Sequence, residues 1–161
     1  MTAIQKTLFK KDSWQFVKDG NPQAFDIFRR HYSFYEYSDG RRRNKYYANR
    51  FLICGPGEKM LLLMPGALFI WRKFIDQSGQ TGINCAAFRN ETKKISSKLI
   101  LAAEKKAAEK WPGERFYTYV NPGKIKSTNP GYCFLKAGWE KIGKTKKGLI
   151  VLAKENNGCL T

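Results

Sequence analysis

Glu91 follows an apolar run, Gly82 to Phe88, and precedes an Ala-rich stretch from Ile95 to Lys110. The run reads as a short buried strand and the stretch as a strong helix. A carboxylate at a strand's carboxyl end can act as a general base. It can equally be a helix-start carboxylate favoured by the dipole. Arg89 and Asn90 share that edge and suit a structural turn as well as a ligand contact. Ser96 and Ser97 fall in the first turn of the helix, where unpaired backbone N–H groups favour phosphate. Tyr132 offers a ring to stack or a proton to give, or else packs. His31 and Tyr32, at the end of an earlier aromatic helix, carry an imidazole and a phenol for proton transfer or for structural contact. The chain has no serine or cysteine triad signature. Its cysteines, at 54, 85, 133 and 159, form no CxxC pair, and His31 is the only histidine, so free thiols are expected and a zinc site is not.

The elements that must hold these groups follow from the pattern. Trp14 and Val17 fit one face of a first helix starting near Asp12-Ser13. Asn21-Pro22 opens a better one, with Phe25 and Phe28 toward the core. Phe51 to Cys54 is a short apolar run closed by Gly55-Pro56-Gly57, a turn without the spacing or lysine of a P-loop. Lys59–Met64 and Ala67–Ile75 read as paired strands around Pro65-Gly66. In the second, Leu68 and Ile70 fall on one face and Phe69 and Trp71 on the other. In the helix from Ile95, the apolar stripe is Ile95, Leu99, Ala102, Ala103 and Ala107. Trp111-Pro112-Gly113 stops it, and Arg115–Val120 is a β-branched, aromatic strand. Asn129-Pro130 starts a short helix that Gly138 ends. Trp139 to Ile142 extends, Gly143–Lys147 is a basic turn and Gly148–Ala153 a last strand. Strand, helix, strand, helix between Gly82 and Gly138 makes a parallel βαβ unit with one more helix. Such units bind ligands at strand carboxyl ends, against helix amino termini.

Thirty Lys and Arg against 13 Asp and Glu give a net charge of +17. Residues 1–50 hold 11 basic and 5 acidic groups, 51–92 hold 4 and 3, and 93–161 hold 15 and 5. A near-neutral centre between basic flanks suits a polyanion, with nucleic acid the first candidate; a solvated basic surface or an acidic partner fits the same numbers. Arg41, Arg42, Arg43 and Lys45 interleave with Tyr46 and Tyr47, so cations can meet phosphates while rings stack on bases, or the tyrosines cover the core. Lys124 and Lys126 add charge in a later loop. No apolar run reaches the roughly 18 residues of a membrane helix, and the first residues lack a secretory pattern. No membrane association is expected.

The element order, with Asn129 and the Phe134-Leu135-Lys136-Ala137-Gly138-Trp139-Glu140 ending, resembles the GNAT acyltransferase family over residues 59–153. The resemblance implies a single α/β domain, an α+β mixed sheet flanked by helices. Residues 1–58 would supply amino-terminal helices and a basic substrate segment, 59–153 the acyl-CoA core, and 154–161 a tail. It further implies acetyl-CoA or another acyl-CoA as donor. Phe88, Arg89, Asn90, Lys94, Ser96, Ser97 and Asn129 would contact it, although Asn129 also reads as a helix cap. Glu91, Tyr132, His31 and Tyr32 become the catalytic candidates. Lys94 stands where the family's pyrophosphate loop places glycine. Phe134 stands where the family places its tyrosine acid, which leaves Tyr132 or Cys133 for that role. The basic, aromatic character is similar to Mom-like phage proteins of this fold that modify adenine amino groups in duplex DNA. That likeness implies a phage or prophage protein acting on double-stranded DNA in the bacterial cytoplasm. Two other expectations stand beside it: an N-acetyltransferase for a protein or small amine, and an inactive GNAT fold that only binds nucleic acid.

Overall fold

A computed structural model describes residues 13–34, 51–125 and 128–156. The described residues are mixed α/β, with seven strands in one open sheet and three helices. The strands are β1 (Gln15–Val17), β2 (Glu58–Met64), β3 (Ala67–Lys73), β4 (Ile83–Asn90), β5 (Phe116–Val120), β6 (Glu140–Lys144) and β7 (Ile150–Lys154). The helices are α1 (Pro22–Phe28), α2 (Ser96–Lys110) and α3 (Tyr132–Lys136), with a 3-10 turn over Pro122–Lys124. The sheet order is β1-β2-β3-β4-β5-β7-β6. Only β4 and β5 pair in parallel, because α2 carries the chain between them; every other pair is antiparallel.

Each face of the sheet buries its own core. On one side Met60, Leu62, Phe69, Trp71, Ile83, Cys85 and Phe116 pack with Leu99, Ile100, Ala103 and Ala107 of α2 and with Phe134 and Trp139. On the other, Leu61, Leu68, Ile70 and Ala87 meet Ala24, Ile27 and Phe28 of α1. The period-2 reading of β3 therefore holds, with Leu68 and Ile70 on the α1 side and Phe69 and Trp71 on the α2 side.

Tryptophans fix α2 in place. The Trp14 indole donates to the Leu99 carbonyl at 2.9 Å and Trp71 to that of Ala103 at 3.0 Å. Trp139 donates at 3.1 Å to Glu104, whose other oxygen takes Lys154 at 2.7 Å. These contacts explain how a carboxylate tolerates burial on the apolar side of a helix.

Several local expectations are corrected. The segment around Trp14 is not helical: Gln15–Val17 adds as an edge strand to β2, since a sheet partner outweighs weak helix spacing over a few residues. The inward stripe of α2 uses Ile100 in place of Ile95 and Ala102; Ile95 is its exposed N-cap residue. Phe25 is half-buried, packing on Phe34 and Phe51. The apolar run Phe51–Cys54 is held by the Asp19 carboxylate, which accepts the Ile53 and Cys54 N–H groups at 2.8 and 3.0 Å. Asn129 is not the cap of α3. That position belongs to Gly131, at φ +82°, where a Cβ would come within 2.6 Å of Leu152 Cδ1. The basic turn lies later than expected, since β6 runs to Lys144 and β7 begins at Ile150.

Candidate functional site

The two edges of β4 behave differently. Against β3, it pairs from Arg72↔Asn84 to Ala67↔Asn90. Against β5, pairing covers only Ile83↔Phe116, Asn84↔Tyr117 and Cys85↔Thr118. Both strands then continue, β4 by five residues and β5 by two, without further pairing to each other. The cause is one extra residue. Trp71 opposes Cys85 while Ile70 opposes Ala87, so Ala86 is a β-bulge. A bulge bends its strand and adds local twist, and here it lies just where β4 leaves β5. Thr118 closes the last rung: its hydroxyl donates to the Cys85 carbonyl at 2.9 Å. Beyond that point the sheet opens between β4 and β5.

Residues from four elements gather around this opening. On the α2 side, Phe88 lies 6.1 Å, ring to ring, from Phe134 of α3. Half-buried Cys133, the next residue along α3, is near enough to Cys85 to raise that thiol's pKa slightly, on top of a larger rise from burial. Both thiols are therefore protonated at neutral pH, and poor nucleophiles. On the α1 side, the Tyr32 hydroxyl donates to the Tyr119 carbonyl of β5 at 3.4 Å. Burial raises the Tyr32 pKa, so the phenol keeps its proton. His31 stacks on Tyr32 at 4.4 Å and on Phe28 at 6.2 Å. Its Nδ1 accepts the Ser33 N–H at 3.2 Å and lies 2.7 Å from the Ser33 hydroxyl, which puts the ring proton on Nε2. Burial, helped by the charge on Arg89, lowers the His31 pKa to about 4, so the ring is neutral at physiological pH.

Glu91 sits at the end of β4 in a double clamp. Arg30 grips both its oxygens, at 2.7 and 2.8 Å, and Arg89 adds a bond at 2.6 Å. These bonds lower its pKa to about 2. A carboxylate held so strongly as an anion is a weak proton acceptor. Its evident role is to tie α1 to the end of β4, with Arg30 also reaching Asp26 at 3.2 Å. The Glu91 N–H donates to the Gly66 carbonyl at 2.7 Å, which anchors the same corner to the β2–β3 turn.

Asn90 organises the turn into α2. Its amide donates to the Lys94 carbonyl at 2.8 Å and to Ser96 Oγ at 3.0 Å, and its oxygen accepts the Thr92 N–H at 2.9 Å. Thr92 Oγ1 in turn accepts the Lys94 N–H at 3.0 Å. The first turn of α2 has no side-chain cap bond and no acidic residue, and Lys93 and Lys94 are exposed beside it. Ser96 and Ser97 are half-buried there. An anion at that terminus would meet unpaired N–H groups, a positive dipole and lysine charge.

The remaining candidates divide. Tyr132 is 53% exposed on the first turn of α3, with Asn129 just before it. Lys124 is exposed in the 3-10 turn after β5. Arg41, Arg42, Arg43, Lys45, Tyr46 and Lys126 lie outside the described residues. Among the described residues no group of His, Cys, Asp and Glu could hold a metal ion, and no helix is long and apolar enough to cross a membrane. The Ala86 bulge, the Arg30 clamp and Thr118 were missed in the sequence. Nothing in a run of Cys-Ala-Ala marks a bulge, and the partners of Glu91 and Cys85 are 61 and 33 positions away.

Comparison with known protein families, with curated proteins and with solved structures finds no match.

Proposed function

We propose that the protein is a GNAT-type acyltransferase-like enzyme that modifies nucleic acid, with an exocyclic amine of a DNA base, adenine first, as the acceptor. One observation carries the reading: β4 and β5 part at the Ala86 bulge, directly before an uncapped helix terminus flanked by lysines. An acyl-CoA fits that arrangement. Backbone of residues 86–90, which does not pair with β5, suits the amides of a pantetheine arm. The terminus at Ser96 and Ser97, with Lys93 and Lys94, suits a diphosphate. When bound, the donor supplies an activated acyl carbon and a thiolate leaving group. Tyr32 holds a proton at the opening and is the group placed to release one to a thiolate. Neutral His31 orients Tyr32 by stacking and through its Ser33 contacts. A base amine is uncharged at neutral pH; as the C–N bond forms and the C–S bond breaks, the thiolate would take the Tyr32 proton and the amine's proton would restore Tyr32, so a separate strong base is not required. The clamp on Glu91 therefore does not count against the reading. Reaching an amine in a duplex requires the base to leave the stack, and the charge of +17 favours the duplex that delivers it.

Phe134 favours a second reading, an inactive fold that binds nucleic acid. It is buried in the core and has no proton to give. Two measurements separate the readings. Acetyl-CoA at about 100 times its Kd is expected to stabilise the fold by about 2.7 kcal/mol; DNA binding without any donor-induced shift would select the binder. Nucleosides from cells expressing the protein are expected to contain a base of added mass. An unchanged profile with intact expression, beside a profile unchanged by Tyr32→Phe, would remove the modifying enzyme.

A further inference from the structure

A second concavity lies on the far face of β5 and β7. Tyr119 and Val151 are register partners. They point away from Val120, Ile150 and Leu152, which belong to the α2-side core. α1 covers β2 to β4 on this face, and over β5 and β7 the cover is the loop at 76–80 and the β6–β7 turn. Between them is a cavity of about 630 Å³ lined by Tyr119, Val151, Leu149, two glutamines (Gln77 and Gln80), Ser78, Thr145 and three lysines. A volume of that size suits a bound small molecule or a single nucleotide.

Its chemistry is specific. Lys144, Lys146 and Lys147 sit together at the turn, and residues 141–154 contain five lysines and no carboxylate. Among the described residues none of the three lysines forms an ion pair. Asp76, in the loop beside the cavity, is already engaged: it accepts the Tyr119 hydroxyl at 2.6 Å and the Ser78 N–H at 2.8 Å. That engagement also fixes the Tyr119 ring on the wall of the cavity. The lining thus combines cations without an ion pair among the described residues, an anchored aromatic ring, apolar Leu149 and Val151, and amides able to read hydrogen-bonding edges. Phosphate, π-face and base edge are the three chemistries of a nucleotide. An acidic peptide would use the cations alone. A duplex offers its phosphates on a convex surface and keeps its bases stacked, so the concave site suits an unpaired nucleotide. Tyr119 also links this cavity to the opening described above, because Tyr32 bonds its backbone carbonyl.

We infer that the cavity over β5 and β7, bounded by Lys144, Lys146, Lys147, Tyr119, Gln77 and Gln80, binds one unpaired nucleotide of a single-stranded or locally opened nucleic acid. The inference rests on the nucleic-acid part of the proposed function and not on acyl transfer.

The test is fluorescence anisotropy without donor, using a labelled 12-nucleotide single strand, the matching duplex and polyglutamate across a salt series. The variants are a turn triple (Lys144→Gln, Lys146→Gln, Lys147→Gln), a charge-matched triple of exposed lysines elsewhere (Lys18→Gln, Lys105→Gln, Lys136→Gln) and Tyr119→Leu. The turn triple is expected to weaken single-strand binding at least tenfold and to reduce the salt slope by about 0.7 to 1.4, at about 0.7 for each of the one or two phosphates flanking a bound nucleotide. The control triple should weaken it less than threefold. Tyr119→Leu should weaken binding about fivefold or more with the salt slope unchanged, and should abolish the quenching of a 2-aminopurine placed in the strand, while circular dichroism stays that of the parent. Equal losses in the two triples would overturn the inference, as would polyglutamate binding with the same dependence on the turn lysines, or quenching that survives Tyr119→Leu. Binding that behaves as expected, beside an unmodified nucleoside profile, would retain the nucleotide site and remove the enzyme.

Discussion

The two edges of β4 teach how one strand can be both scaffold and site. Its β3 edge is laddered from Asn84 to Asn90 on both sides of the Ala86 bulge, and the partner strand buries Trp71, Phe69 and Ile70 to 0% exposure. Its β5 edge closes over three positions and then opens. The strand is the same on both sides. The bulge at Ala86 lets the β3 ladder resume in register and bends β4 away from β5. On the closed edge, backbone groups are satisfied within the sheet and the free energy goes into stability. On the open edge, backbone is left for something else to pair with. The candidate groups Tyr32, His31, Arg89, Cys133 and the start of α2 gather there.

That contrast can be broken most severely by deleting Ala86. Without the extra residue, Cys85 and Ala87 become consecutive and keep the opposite faces they already occupy, so the ladder with β3 turns regular and the bend that parts β4 from β5 is lost. The deletion is expected to keep a cooperative urea transition and to abolish the acetyl-CoA-induced shift in melting temperature; a parental shift would show that the bulge is dispensable. Next in size is Trp71→Ala at the closed edge. Its indole contacts Phe69, Phe116 and Trp139 and donates to α2. A loss of about 3–5 kcal/mol is expected in urea unfolding, well above that of any substitution confined to the open edge. Gly82→Ala probes the shut end of the parallel pair. Gly82 has φ +107°, and a Cβ there would lie 2.0 Å from the Arg115 carbonyl oxygen, which accepts the Ile83 N–H. Strain plus overlap should cost about 2–3 kcal/mol by the same measurement.

The smallest expected effect is a pH dependence that belongs to the open edge alone. His31 titrates at about 4 in the folded chain against an ordinary 6.5. Between those values the unfolded chain binds the extra proton, so stability is fully present above about pH 6.5 and falls as pH drops toward 4. Glu91, lowered from 4.5 to about 2, prolongs the loss below pH 4.5, because its stabilising anion must then be protonated. His31→Gln should flatten the slope of melting temperature between pH 6.5 and 4.5, by up to about 2 kcal/mol, and leave the steeper fall below. A slope unchanged by the substitution would show that His31 is not held neutral.

Much of the frame was legible in the chain. Ala-rich periodicity marked α2, alternation placed Leu68 and Ile70 opposite Phe69 and Trp71, and Pro65-Gly66 marked a turn. The candidate site was legible only in part. Glu91, His31 and Tyr32 were singled out by type and position, but the roles they take depend on distant partners. Arg30 turns Glu91 from a possible base into a clamp. Stacking and burial keep His31 neutral, and a β5 carbonyl receives Tyr32. Asn90 proved to be the knot of a turn. The lysines of the β6–β7 turn looked like solvated charge until the loop at 76–80 roofed them into a cavity.

The sequence by itself determined the order of elements from α1 onward, the faces of β3 and a net charge of +17, because periodicity and charge are local and additive. Only the tertiary structure decided where the sheet opens and which groups meet there. A bulge is defined by what lies across the ladder, and a pKa by what desolvates or pairs with the group. Both are properties of neighbours that the chain brings together from far apart.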